Sequence, residues 1–413
     1  NVSVDGGTIK LDGNYPVGTG NVALGDNALV DSSLSGGYNT AIGQEALNSN
    51  TSGSVNTAIG NGALYLNTTG ASNISVGSNS LADNTTGGSN VAVGRDALGN
   101  NTTASANTAV GYQAGYSNTT GTENTFIGGA AGDAITTSNA NTALGYLSLS
   151  AETSSNGNTA IGAEALKNQN VGGSGDARNT AVGLLAGANV STGIQNTLIG
   201  ALAGDAITTA SNNTAVGYQS LSANTTGTAN TAIGRNSLQA NTTADDNTAS
   251  GMYSLYTNTT GASNTAHGRS ALFSNTTGSS NVSVGAQALE NNTTASGNVA
   301  IGDNALRAYQ TGGDNVVIGR NAGYTLNGNG NCTFLGRGSG FDTTGGNNTF
   351  VGYSSGSGVT SGAKNTIVGL YNGNQGGLDI RTSSNHIVLS DGDGNPRMQF
   401  NSSGTGKIKT SND

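Results

Sequence analysis

Cysteine, proline, tryptophan and charge are all scarce in this chain of 413 residues. The single cysteine, Cys332, excludes an intrachain disulfide framework and a zinc cluster within one chain. Disordered chains are usually rich in charge and proline, and this one has 9% charged residues and two prolines. With 34% hydrophobic and 5% aromatic residues it also lacks the large side chains of an ordinary globular core. The formal net charge of −9 is spread thinly, without a basic stripe, so neither a nucleic-acid partner nor an anionic membrane is expected. No apolar run approaches the roughly 20 residues that span a bilayer, so no membrane insertion is expected. Neither an initiator methionine nor a signal-peptide pattern is present, which predicts that the chain begins inside a longer gene product.

What is abundant is Asn, Thr, Ser, Ala and 68 glycines, with Ile, Val and Leu at regular places. The pentad Asn-Thr-Ala-Ile/Val-Gly, with substitutions, begins at Asn21, Asn39, Asn56, Asn73, Asn90, Asn107, Asn124, Asn141 and Asn158. It resumes at Asn179, Asn196, Asn213, Asn230, Asn247, Asn264, Asn281, Asn298 and Asn315, then with Cys332 in the Asn place, and at Asn348 and Asn365. These 21 copies are 17 residues apart, except for steps of 18 at the start, 21 before Asn179 and 16 after Cys332. Self-similarity at a fixed period is the signature of a repeat architecture.

The unit reads N-T-A-[IV]-G-x-x-[AS]-L-x-x-N-T-T-G-x-x. Its glycines, β-branched residues and asparagines are poor helix formers. The pentad reads as a short strand ended by glycine, Asn-Thr-Thr-Gly as a turn, and Ala-Leu (Ala46-Leu47, Ala97-Leu98, Ala288-Leu289) as a second short strand or bend. The predicted fold is therefore all-β: a parallel β-solenoid, or β-roll, of about 21 coils with a 17-residue repeat. Stacked at about 4.8 Å, the coils would make a rod of roughly 100 Å. The pentad asparagines, among them Asn56, Asn73, Asn90, Asn107, Asn230 and Asn264, are expected to form a structural ladder, side-chain amide to side-chain amide. A second ladder would pass through Asn50, Asn67, Asn84, Asn101 and Asn118 and recur from Asn224 to Asn292.

Period-two alternation puts Thr57 and Ile59 on one side of their strand and Ala58 on the other. Ile/Val is expected inside the coil. The uniformly small Ala place, as in Ala109, Ala143, Ala160 and Ala232, would then face outward against a second chain. Phe126, Leu198, Phe334, Phe350 and Ile367 in that place would otherwise be sticky patches, which predicts a homotrimer packed about its axis. Three segments follow: lead-in strands over residues 1–20, the solenoid over 21–369, and a C-terminal β-hairpin cap over 370–413. The four extra residues around Val171-Gly-Gly-Ser-Gly-Asp176 are expected to bulge as a loop.

Asn-Thr-Ala-Ile-Gly-x-x-Ala repeated along a chain resembles the head β-roll of trimeric autotransporter adhesins, which is left-handed and trimerises. The chain resembles more closely the long repeat fibres of tailed phages of marine bacteria. Segments of those fibres often end in something like Asn385-His-Ile-Val-Leu-Ser-Asp-Gly-Asp-Gly-Asn-Pro-Arg397. In that family a C-terminal intramolecular chaperone of the endosialidase type commonly follows, and it cuts itself free once the fibre has trimerised. The resemblance implies a homotrimer, an extracellular place on a virion tail or cell surface, and such a chaperone beginning near Asp413.

No enzyme constellation emerges from the sequence, and neither a catalytic residue nor a cofactor is expected. Glycoside hydrolysis needs two facing carboxylates. Glu45, Asp96, Asp133, Glu164, Asp205 and Asp303 are scattered singly, and Asp245-Asp246 reads as a solvated corner. Asp391-Gly-Asp393-Gly-Asn395 begins like a calcium loop but has Pro396 and Ser402 where an EF-hand needs Gly and Glu, so it reads as a hairpin turn. His267 takes the Ile/Val place, one coil after Ser250. If that place faces the interior, His267 bonds Ser250 or backbone; if it faces a trimer axis, three copies converge and could hold an ion. The place after the pentad Gly carries Arg95, Tyr112, Tyr146, Tyr218, Arg235, Arg269, Arg320, Arg337 and Tyr353. Arginine and tyrosine there suit contact with a receptor, a host cell-surface glycan or protein. Solubility positions on a rod are the competing reading. As a whole the sequence favours a structural and adhesive fibre segment over a polysaccharide-degrading tail spike or an ice-binding solenoid. Ice binding needs an exposed Thr face, and the pentad Thr is expected to be at least half buried beside Ile/Val.

Overall fold

Three extended residues closed by a glycine make a strand too short to stand alone, so each pentad must find its partner one repeat away. The computed structural model describes residues 19–173, 175–327 and 329–409. Residues 1–18 of the expected lead-in and the chain end at 410–413 lie outside them. The chain comprises two compact units, Asn1–Ala201 and Leu202–Asp413. Each is a parallel β-solenoid, with no helix among the described residues and about 22 turns in all. In the first unit the strands run from Val22–Leu24 to Thr197–Ile199 and pair in parallel, Thr108 with Thr125 and Val110 with Ile127, for example. In the second they run from Thr214–Val216 to Thr366–Val368, again paired in register.

Irregular steps do not disturb the register. Val22 lies opposite Thr40, Thr159 opposite Thr180 and Thr333 opposite Thr349, so inserted residues are pushed into the turns. The extra residues before Asn179 do form a loop, anchored where Asp176 bridges Asn156. The pentad glycine is required by the stack itself. Gly60 has φ +139°, and a Cβ there would lie 2.5 Å from the carbonyl oxygen of Gly77 in the next coil.

Ala-Leu forms a turn and not a strand. Leu47, Leu64 and Leu98 have φ of 51°, 52° and 49°, in the left-handed region, yet all three are fully buried. That backbone costs an L-residue about 1–2 kcal/mol, whereas burying leucine contributes about 1.5–3 kcal/mol. Coil-to-coil hydrogen bonds, Leu47 N to Ala63 O at 2.9 Å and Leu64 N to Ser80 O at 3.0 Å, hold the bend.

Both asparagine ladders are present and buried. In the first, each oxygen accepts the next pentad's backbone amide: Asn73 N donates to Asn56 Oδ1 at 2.9 Å and Asn90 N to Asn73 Oδ1 at 3.0 Å. The nitrogen closes the coil, Asn56 Nδ2 donating to Gly70 O at 2.8 Å. The second ladder links amide to amide, Asn84 Nδ2 to Asn67 Oδ1 and Asn101 Nδ2 to Asn84 Oδ1, both at 2.8 Å. Cys332 keeps the first ladder's backbone link, its N donating to Asn315 Oδ1 at 2.9 Å, while burial pushes its thiol pKa up.

The two faces of the strand are the reverse of those expected. From Ala41 to Ile367 the middle residue is fully buried inside its own coil, while Thr and Ile/Val point outward. The small Ala place thus approaches the leucine of the same coil, not a second chain. Phe126, Leu198, Phe334, Phe350 and Ile367 are buried too, so they are no surface patches. Volume is exchanged within the coil and with the coil before it: a large middle residue meets glycine where leucine otherwise stands. A Cβ on Gly132, in the coil of Phe126, or on Gly115, in the coil before, would lie 2.5 Å from the Phe126 ring, and one on Gly187, in the coil before Leu198, would lie 2.7 Å from Leu198. Phe334 and Phe350 stack in this space with ring centroids 5.0 Å apart.

The stack passes the expected boundary at residue 369. Ile387–Ser390 pairs in parallel with Thr366–Val368, then antiparallel with Pro396–Phe400, which pairs with Gly406–Ile408. The hairpin therefore stacks on the last pentad strand and extends the sheet edge. Its turn is held by Asp391, whose Oδ1 accepts Asn395 N at 2.8 Å and whose Oδ2 accepts Arg397 Nε at 2.8 Å.

Candidate functional site

The pentad glycine turns the chain out of the strand, so the next side chain must point to solvent. All nine residues singled out at that place are exposed: Arg95, Tyr112, Tyr146, Tyr218, Arg235, Arg269, Arg320, Arg337 and Tyr353. Stacking then sets members of successive coils against each other. Arg95 lies 4.4 Å from the Tyr112 ring centroid, and Arg337 lies 5.7 Å from that of Tyr353. Arg235 approaches a residue of the following place, Tyr253, at 6.0 Å.

A second outward column, just after the buried leucine, escaped the sequence reading because the repeat leaves that place undefined. Tyr256 and Phe273 occupy it in adjacent coils and stack with centroids 5.1 Å apart; Tyr324 and Phe341 do the same at 5.2 Å. The signal was there in Leu255-Tyr256 and Leu272-Phe273, aromatics one period apart. In the second unit the two columns enclose an open cleft of about 330 Å³. Arg320, Arg337 and Tyr353 line one side and Phe341 the other, with Asp342 and Asn372 among the remaining lining residues. Neither Arg320 nor Arg337 has an ion-pair partner among the described residues, unlike Arg307, whose Nε lies 2.6 Å from Glu290 Oε2.

Other polar groups are consumed by the fold. Glu152, standing in the second ladder's place, is fully buried and accepts three backbone amides. Tyr309 takes the same place in the second unit; burial pushes its hydroxyl up to about 12, and its oxygen accepts Asn315 Nδ2 at 2.8 Å. Asp245 is tied to Thr228, whose N donates to its Oδ1 at 2.6 Å. His267 is exposed on the outward face opposite Ser250 and does not bond it, so the interior reading of that histidine is corrected. The reason is the reversal of faces.

No protein-family model matches the chain, and no curated protein matches it. What the site can do must be argued from its own geometry.

Proposed function

We propose that the chain is a structural and adhesive fibre segment of the phage tail-fibre or bacterial surface-adhesin kind. It acts outside the cell as a homotrimer that spans distance and presents a surface for a host glycan or protein. One observation carries this reading. In each unit the outward face of the strands is an uncharged stripe, Thr/Val/Ile in the first place and Ile/Val/Leu in the third, broken in the third place only by Ser250 and His267. Leu144, Ile233 and Leu335 are 44%, 44% and 46% exposed. Contiguous apolar stripes of this kind on a soluble chain mark association surfaces. A stripe only two side chains wide suits an axis shared by three copies, as the resemblance to trimeric adhesins implies. The arginine and tyrosine columns lie elsewhere on the coil and stay free for a receptor. Neither nucleic acid nor membrane insertion has a part in this reading.

A second reading gains from the same observation. Thr and Ile/Val stand outward together at coil spacing, so a single free chain would present a regular face to ice. Electron-microscopic class averages viewed down the fibre test between the two. Three lobes in cross-section support the trimer. One lobe overturns it and turns attention to thermal hysteresis, the depression of freezing below melting.

A further inference from the structure

The cleft of the second unit joins two features that the sequence keeps apart. Arg320, Arg337 and Tyr353 follow the pentad glycine in three successive coils and form one wall. Opposite stands the half-exposed ring of Phe341, held face to face on Tyr324. Two arginines on adjacent coils, whose backbones stack about 4.8 Å apart, suit the oxygens of a carboxylate or sulfate. Neither has an ion-pair partner among the described residues, in a chain of net charge −9, so an anion arriving there displaces no carboxylate from them. The ring walls suit the C–H face of a sugar, and Asp342 and Asn372 can bond its hydroxyls. A neutral sugar would leave the two cations unused. An acidic peptide would leave the ring wall unused.

We propose that this cleft binds an anionic saccharide, carrying its carboxylate or sulfate to Arg320 and Arg337 and its ring face to Phe341. The inference rests on the adhesive reading above and names its ligand class. The same combination recurs earlier in the unit, where Arg235 faces Tyr253, and Tyr253 meets Tyr256 edge-on with centroids 5.4 Å apart.

Titration calorimetry of the full chain tests this with four probes: tetragalacturonate, a sulfated carrageenan tetrasaccharide, maltotetraose and tetraglutamate. At least one anionic saccharide should bind with a Kd of about 1 mM or tighter, and the two anionic arms distinguish carboxylate from sulfate. Maltotetraose and tetraglutamate should bind at least about tenfold more weakly. The double variant Arg320→Gln/Arg337→Gln should lower saccharide affinity at least about tenfold, and Phe341→Leu should lower it severalfold. Lys364→Gln, an exposed cation outside the cleft and outside both columns, should change nothing. The proposal is overturned if neither anionic saccharide binds, if maltotetraose or tetraglutamate binds equally well, or if the double variant binds like the parent. The substituted side chains are exposed or half-exposed, and unchanged melting curves establish that each variant is folded. Solution mass of the same samples separates the two readings. A monomer that binds keeps the cleft and sinks the fibre; a trimer that binds nothing sinks the cleft alone.

Discussion

Glu152 shows how a single residue can be misjudged from its type. A lone glutamate in an acidic chain reads as solvated, yet its Oε1 accepts Thr153, Ser154 and Ser155 amides at 2.9, 3.0 and 2.8 Å, and its Oε2 accepts Gln169 Nε2 at 3.0 Å. Burial alone would raise its pKa, but the hydrogen bonds from Ser155, Gln169 and Ser154 prevail and hold it below the ordinary value. A depressed folded value means that the carboxylate stabilises the fold above the ordinary glutamate pKa and loses that effect as pH falls through the folded one. Glu152→Gln sets an amide donor against Gln169 and should cost about 1–3 kcal/mol near neutral pH. Urea midpoints of both chains should converge as pH falls below the ordinary glutamate range. A gap that persists unchanged in acid would contradict a charged, hydrogen-bonded Glu152. The Asp133 carboxyl, raised by burial, acts in the opposite sense, but it is common to both chains and cancels in the difference. The exposed arginines and tyrosines were legible because they share one place in the repeat. The aromatic column was not, since it is filled only in some coils.

At the scale of the element, the period and the ladders were legible and the strand's orientation was not. Alternation shows which residues share a face, and it does not say which face is inside. Hydrophobicity favours Ile/Val within, and that preference is overridden because the coil is narrow. Leucine from the bend already fills it, leaving room opposite only for alanine. Enlarging the middle place to Phe126 therefore demands glycine at 132 and, in the preceding coil, at 115, and changes at 126 and 132 should be strongly coupled. Phe126→Ala alone should cost about 3–5 kcal/mol through the cavity it leaves. Gly132→Leu alone should cost about 1–3 kcal/mol or more through overpacking against the ring. The double variant sets alanine against leucine within the coil, as Ala143 and Leu149 stand one coil on, and leaves open only the space beside Gly115, so it should recover much of both losses, a coupling of about 1–3 kcal/mol. Unfolding curves of the four chains decide it, and additive losses would contradict the exchange of volume within one coil.

At the scale of the whole molecule, the solenoid architecture was legible because a fixed step forces like residues to stack. The expected trimer was drawn from a small residue facing a neighbouring chain, and that argument fails with Ala inside the coil. The outward Thr and Ile/Val columns replace it. They leave in each unit an apolar stripe without a single charge, alongside a separate column rich in arginine and tyrosine. On the proposed reading the stripe is the structural face of an adhesive fibre and the arginine and tyrosine column its recognition face. Light scattering of the parent chain beside Ile161→Glu, which puts a charge into the stripe, is the most direct test. The account predicts a mass of about three times 40.4 kDa for the parent and a fall towards 40.4 kDa for the variant. A parent chain of 40.4 kDa would contradict it, and so would a trimer indifferent to the buried charge.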